Sequence, residues 1–209
     1  LIGNIDKFEV YNDYIYILDK RISRSIFIYS VNGKFVNQIS NIGKGPGEFV
    51  KIESVNFNKA LNRIEVFDSE RQVLLFYDLL GNFISEIKPP ITFEDFVYDS
   101  NTDSYYFYCK YFPNTQGNYR IYVTDQNFNV TDKILEFDKS MIGSTMISMY
   151  NNFVKNDDVI YFMESYNNVV YTINLEGMQK NVNLKFYSKN VDNDLISMVY
   201  DKHETVQNE

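Results

Sequence analysis

The sequence predicts an all-β fold, a β-propeller built of four-stranded antiparallel blades. Three observations predict it. Residue usage favours sheet: 18 Tyr and 17 Phe stand beside many Ile and Val, with a single alanine, Ala60. Aromatic and β-branched residues suit a pleated surface, and Ala is the best helix former. An internal repeat is visible, and its units read as short strands separated by turn residues. Finally, no strong helical pattern interrupts them.

The repeat is clearest in the first two units. Ile15-Tyr-Ile-Leu-Asp19, Ile26-Phe-Ile-Tyr29 and Asn32-Gly33-Lys34-Phe35 match Ile64-Glu-Val-Phe-Asp68, Leu74-Leu-Phe-Tyr77 and Gly81-Asn82-Phe83. Asp19 to Asp68 is a step of 49 residues, and Gly33 to Gly81 a step of 48. Each unit reads strand, Asp, short loop, strand ending in Tyr, Gly-containing turn, strand. Asn32-Gly33 predicts a primed hairpin turn, because both residues tolerate positive φ.

Looser copies follow. Tyr105–Tyr111, Tyr119–Asp125 and Asn129–Phe137 form one set, with Gln126-Asn127 as the turn. Val159–Glu164, Val169–Asn174 and Asn181–Phe186 form the next, turning at Glu176-Gly177. An apolar stretch precedes each set: Ile5–Tyr11, Ile52–Phe57, Phe93–Tyr98 and Met146–Val154. The result is four meanders of four strands, at about 1–41, 42–90, 91–139 and 140–188. Meanders at this spacing are the signature of propeller blades, since one meander cannot bury both of its faces. A β-sandwich of 16 short strands is the alternative, and sandwiches rarely carry such a repeat. In the tail, residues 189–209, Val191, Leu195, Ile196, Val199 and Tyr200 fall at helical spacing. The likeness of Ile147-Ser-Met to Ile196-Ser-Met leaves the start of a further blade as the second option.

Composition also bounds function. The net charge is −8, with 20 Lys and Arg against 28 Asp and Glu. Such a balance argues against a general nucleic-acid or anionic-membrane surface. No apolar run is long enough to span a bilayer as a helix. One cysteine, Cys109, allows no internal disulfide, and its place among aromatic residues predicts a buried thiol. One histidine, His203, allows no histidine dyad or histidine-rich metal site. The sequence begins at Leu1 with no signal peptide and is read as a processed or partial chain. No cofactor and no metal site is expected. The acidic residues lack the spacing of a calcium loop. Asp19 and Asp68 are expected to bond backbone amides at their strand ends instead. Asn129-Val-Thr131 matches a glycosylation triplet, which carries little weight by itself.

Taken with the Ile-Leu-Asp, Phe-Ile-Tyr and Asn-Gly-Lys-Phe elements, Ile42-Gly-Lys-Gly-Pro-Gly-Glu-Phe49 resembles the six-bladed β-propeller proteins of the Bacteroides type. These are NHL-repeat-like proteins, many of them predicted lipoproteins. The resemblance is clearest over residues 5–90 and weaker to about 186. It implies a cell-envelope or secreted location, a lipid anchor outside this chain and no established catalysis. It also implies six blades where about four are present. Missing blades are the expected reason, with a partner chain that completes the ring or an unusual propeller as the alternatives.

The glycine-rich segment does not match a phosphate loop: neither glycine spacing is met and strands flank it. Its structural role is a stiff link between blades. In a meander the loop between second and third strands lies on the same face as that link. Arg21, Arg24, Lys44, Glu48 and Arg71 therefore form the candidate ligand-binding set, with the cations suited to a carboxylate because Arg presents paired donors. The alternative is a solvated rim of ordinary surface pairs. No catalytic residue is assigned. The expected function is a non-enzymatic binding module of the bacterial cell envelope for a protein, peptide or glycan ligand. The alternative is a propeller hydrolase or lyase acting on a glycan through paired carboxylates, such as Glu48 with Glu53 or Glu94 with Asp95.

Overall fold

The computed structural model describes residues 1–142, 152–156, 159–164, 169–174 and 177–183. The described residues form sixteen strands in four separate sheets, each an antiparallel meander in sequence order. The chain is an all-β protein of four four-stranded propeller blades. The first blade holds β1 (Lys7–Tyr11), β2 (Tyr14–Asp19), β3 (Ser25–Ser30) and β4 (Phe35–Ile39). The second holds β5 (Ile52–Asn58), β6 (Arg63–Asp68), β7 (Val73–Asp78) and β8 (Phe83–Ile87). The third holds β9 (Asp95–Asp99), β10 (Ser104–Tyr108), β11 (Tyr119–Thr124) and β12 (Val130–Glu136). The fourth holds β13 (Phe153–Asn156), β14 (Val159–Met163), β15 (Val169–Asn174) and β16 (Gly177–Asn183). The chain divides into two compact units: Leu1–Thr145 carries the first three blades, and Met146–Glu209 carries the fourth. The tail expected as a helix or a further blade lies outside the described residues, as does His203.

Within the first unit, alternation along each strand feeds two layers of core. Tyr16, Leu18, Ile26, Ile28 and Ile39 of the first blade pack on Val55, Ile64, Val66, Leu75 and Tyr77 of the second. Phe67, Leu74 and Phe76, one residue out of phase on the same strands, pack on Phe96, Tyr105, Phe107, Tyr122 and Phe128 of the third. The period-2 side-chain direction of a strand thus puts the second blade's two faces into two different cores. Phe67 and Phe93 stack with centroids 3.9 Å apart, and Phe93 meets Phe107 edge-on at 4.7 Å. Cys109 lies in this aromatic layer with no exposed surface. Burial pushes its thiol well above the ordinary range.

Two turns differ in kind. At Asn12-Asp13 both residues have positive φ, 47° and 62°, a two-residue primed hairpin between Tyr11 and Tyr14. The turn at Asn32-Gly33 is not of the primed type expected from its sequence. Only Gly33 has positive φ, the Gly33 amide donates to the Ser30 carbonyl, and the ladder shifts register between Ile28 and Tyr29. That geometry is a type I turn closed by a glycine bulge, which the strand twist also accepts. In the second blade Gly81 fills the same place at φ 85°, and in the third Phe128 fills it at φ 64°.

Candidate functional site

In each of the first two blades the loop that follows the second strand is built around one buried aspartate. Asp19 accepts from the amides of Gly3 (2.9 Å), Asn4 (3.1 Å) and Ile22 (2.9 Å). Asp68 accepts from Val50 (2.7 Å), Lys51 (3.1 Å), Glu70 (3.1 Å) and Arg71 (3.3 Å). Each carboxylate fastens the segment entering its blade to the loop between second and third strands. Burial of Asp19 opposes its ionisation, but the Ile22, Gly3 and Asn4 amides outweigh it and hold the carboxyl far below the usual carboxylate range. The amide-bonding role expected of both residues is what the structure shows.

The glycine-rich link is equally self-contained. Ile42 and Phe49 form a parallel bridge, with the Gly43 amide on the Phe49 carbonyl and the Phe49 amide on the Asn41 carbonyl, both 3.0 Å. The Glu48 carboxylate turns back and accepts from the Gly45 amide at 2.8 Å. A Cβ on Gly43 would lie 2.0 Å from Glu48 Oε2, so glycine is required there for the carboxylate to fit. The loop's own acid therefore sits where a phosphate would have to be cradled.

Arg71 reaches across to the link. Its Nη1 donates to the Glu48 carbonyl and its Nη2 to Glu86 Oε1, both at 2.6 Å. The structure thus brings Glu48 and Arg71 together. Arg21 lies 3.7 Å from Asp6, with its side chain 59% exposed. Arg24, at φ 50°, and Lys44 are exposed, and neither is in an ion pair with a described residue. Nearby, Lys20 Nζ donates to the Glu53 carbonyl at 2.5 Å. The carboxylates considered for acid–base work each have a protein partner. Glu53 pairs with Lys51 at 2.8 Å, Glu94 with Lys110 at 2.5 Å, and Asp95 accepts from Ser54 at 2.5 Å. Among the described residues no group of three or more His, Cys, Asp or Glu side chains could hold a metal ion.

A second polar cluster lies between the second and third blades. Glu65, fully buried, accepts on Oε1 from Asn58 (3.0 Å), Arg63 Nε (2.8 Å) and the Tyr105 hydroxyl (2.6 Å), and on Oε2 from Asn56 (2.8 Å). Arg63 also donates to the Tyr105 hydroxyl and lies over the Phe76 ring at 4.1 Å. Sequence reasoning passed over this cluster. Its signal was a charge in an inward register position, Ile64-Glu65-Val66, where the first blade has Tyr16. A second overlooked signal is an Asp–Asn pair four residues apart. Asp78 caps the Leu80 and Asn82 amides and binds the Asn82 side chain, and Asp125 does the same with Asn127 and Asn129.

The family model described as Domain of unknown function (DUF4934) matches residues 1–207. No curated protein matches the sequence. Among solved structures, a Bacteroides fragilis protein described as a candidate exported protein is similar with a TM-score of 0.80 at 17% identity. The alignment covers 97% of this chain and 57% of that one. A member of the DUF4221 family from Bacteroides vulgatus has a TM-score of 0.60 at 13% identity, over 90% of this chain and 60% of its own. Virginiamycin B lyase from Staphylococcus aureus has 0.53 at 13%, over 83% and 53%. At these identities the likeness is one of fold, and this chain spans less than two thirds of each relative. Among the described residues no helix is long and apolar enough to cross a membrane.

Proposed function

The chain belongs to the family described as Domain of unknown function (DUF4934), and on that premise we propose that it is a non-enzymatic binding propeller of the bacterial cell envelope. Its ligand is a protein, peptide or glycan that presents a carboxylate to Arg21, Arg24 and Lys44. The observation that carries this reading is the division of labour on the link side of the first two blades. Asp19, Asp68 and Glu48 bond amides of the loops themselves and Arg71 bonds Glu48 and Glu86, while Arg24 and Lys44 are exposed, and so is Arg21 beside Asp6. Loops held by buried carboxylates form a stiff platform, and ordered loops on a rigid scaffold lose little entropy on binding. Exposed cations then supply recognition. Arg71 and Glu48 serve as supports that position the platform.

The exported Bacteroides neighbour supports an envelope location. The resemblance of Ile42–Phe49 to six-bladed, NHL-like lipoprotein propellers supports further blades and a lipid anchor outside this chain. Nucleic acid is not a partner in this reading, given the charge of −8.

Calorimetric titration with acidic peptides and uronic-acid oligosaccharides tests the reading. A carboxylate ligand is expected to bind the wild-type chain and to lose most of its affinity in the variant R21A/R24A/K44A. Equal affinity in that variant refutes the site. The competing reading is a hydrolase or lyase, which the neighbouring virginiamycin B lyase keeps in view. Turnover of a glycan or of virginiamycin B by the wild-type chain would replace the binding reading.

A further inference from the structure

Two lysines of the first blade rest on the backbone of β5 in the second. Lys7 lies on β1 opposite Leu18, and Lys20 stands two residues after Leu18, just past the end of β2. The strand period therefore points both stems from the same face of the sheet. Lys7 Nζ donates to the Val55 carbonyl at 2.9 Å, and Lys20 Nζ donates to the Glu53 carbonyl at 2.5 Å. Those carbonyls are two residues apart, which is roughly 7 Å along an extended strand.

The Lys7 ammonium is in an unusual setting. Lysine normally keeps its charge in water or on an acid. Here the side chain is half-buried, with the Phe57 ring centre 5.8 Å from its nitrogen. Among the described residues Lys7 joins no ion pair. Two acids attract it, and both have partners of their own. Glu9 pairs with Lys59 at 2.7 Å, and Asp95 accepts from the Ser54 hydroxyl at 2.5 Å and the Phe96 amide at 3.0 Å. Burial lowers the pKa of the Lys7 ammonium against the pull of Asp95 and Glu9, and the Lys20 charge lowers it further. Neighbouring lysines show the ordinary arrangement. Lys51, just before the same strand, meets Glu53 at 2.8 Å, and Lys110 in the third blade meets Glu94 at 2.5 Å.

A charge withdrawn from water without a counter-charge costs free energy, and a second cation beside it adds to that cost. An oxyanion removes both costs at once. We propose that Lys7 and Lys20 form a binding site beside β5 for a small oxyanion, a carboxylate or a phosphate group. Its oxygens take the N–H donors that the Val55 and Glu53 carbonyls leave over, and its charge is the counter-ion of Lys7. The site is distinct from the exposed set of Arg21, Arg24 and Lys44 and does not depend on it.

Amine labelling with sulfo-NHS acetate, read by peptide mass spectrometry, tests the site in the 209-residue chain. Malonate and inorganic phosphate are titrated at constant ionic strength, with chloride as the control. An anion at about ten times its Kd leaves about one chain in eleven unoccupied, so labelling of Lys7 and Lys20 should slow roughly tenfold. Labelling of the exposed Lys34 and Lys88 should not change. Protection by malonate only assigns a carboxylate, and protection by phosphate only assigns a phosphate group. The urea midpoint should rise with the same anion, because the anion binds the folded chain. If Lys7 is inert to the reagent even in chloride, Lys20 and the urea midpoint carry the readout. Lys7→Met keeps the stem and removes the charge, and it should lose both the midpoint rise and the protection of Lys20. If that variant does not fold, Lys20→Met takes its place, with Lys7 labelling as the readout. Protection of Lys7 should persist in R21A/R24A/K44A, so the site can stand where the exposed set fails. Four results overturn the proposal: labelling and midpoint unchanged by either anion, equal protection of Lys34 and Lys88, an unaltered midpoint rise in the methionine variant, or protection lost in R21A/R24A/K44A.

Discussion

Tyr105→Phe tests how far the second and third blades depend on the Glu65 cluster. The hydroxyl is fully buried and donates at 2.6 Å to Glu65 Oε1, and Arg63 donates to it in turn. Removing it deletes one hydrogen bond to a charged acceptor, worth about 1.5–3 kcal/mol. Glu65 keeps three donors, Asn56, Asn58 and Arg63, and the ring keeps its stacking on Phe107 and Phe128. The expected cost therefore lies near the middle of that range, about 2 kcal/mol, or roughly 4–8 °C in Tm for a chain of this size. Glu65→Ala is harsher. It leaves Arg63, Asn58 and the Tyr105 hydroxyl without their shared acceptor, and breaking a buried charged pair costs about 3–5 kcal/mol. The double variant should cost less than the two singles together, by at least about 1 kcal/mol, because both remove the same bond. Urea unfolding followed by far-UV circular dichroism measures all three; the chain has no tryptophan to report instead. A Tyr105→Phe chain within 0.5 kcal/mol of wild type, together with additive singles, would show that this cluster does not join the blades.

Three further outcomes follow from the same structure. Asp19 has its carboxyl held low in the folded chain, so its stabilising effect is complete above the ordinary aspartate pKa. It is lost as the pH falls from about 4 towards the folded value. Urea midpoints measured against pH should therefore fall on acidification more steeply for wild type than for Asp19→Asn, and parallel curves would refute the assignment. Gly33→Ala and Gly81→Ala separate backbone strain from packing. Both positions have positive φ, but a Cβ at Gly33 meets nothing within 4 Å, while at Gly81 it lies 3.0 Å from Ile28 and 3.1 Å from Ile39. Alanine should cost about 1–2 kcal/mol at Gly33 and measurably more at Gly81 in the same melts; equal costs would show that the neighbours yield freely. Cys109 should react with a thiol reagent only upon unfolding, so that labelling rises in step with the urea transition, and rapid labelling of the native chain would contradict its burial.

Much of the fold was legible because it depends on local chemistry. Period-2 alternation of Ile, Val, Tyr and Phe, and punctuation by Asp, Asn and Gly, were enough to place the meanders. The amide-bonding role of Asp19 and Asp68 was legible too, since a carboxylate at a strand end has few other partners. What alternation cannot say is which face meets which neighbour. Ile17 and Val66 occupy the same repeat position, yet one is half-buried and the other fully buried. The difference lies in what the next sheet supplies, a non-local fact. Charge behaved in the same way. By sequence alone Arg21, Arg24, Lys44 and Arg71 were four equivalent cations. The tertiary structure separates Arg71, fastened to Glu48 and Glu86, from three that remain exposed. It also turns Glu65, which reads as an interruption of an apolar strand, into the acceptor at the centre of an inter-blade network. The sequence by itself determined strands, turns and repeat, because backbone preference and side-chain period are properties of neighbours in the chain. Only the tertiary structure decided which polar groups are spent on holding the blades and which stay exposed. That choice depends on donors and acceptors brought together from positions some 20 to 40 residues apart.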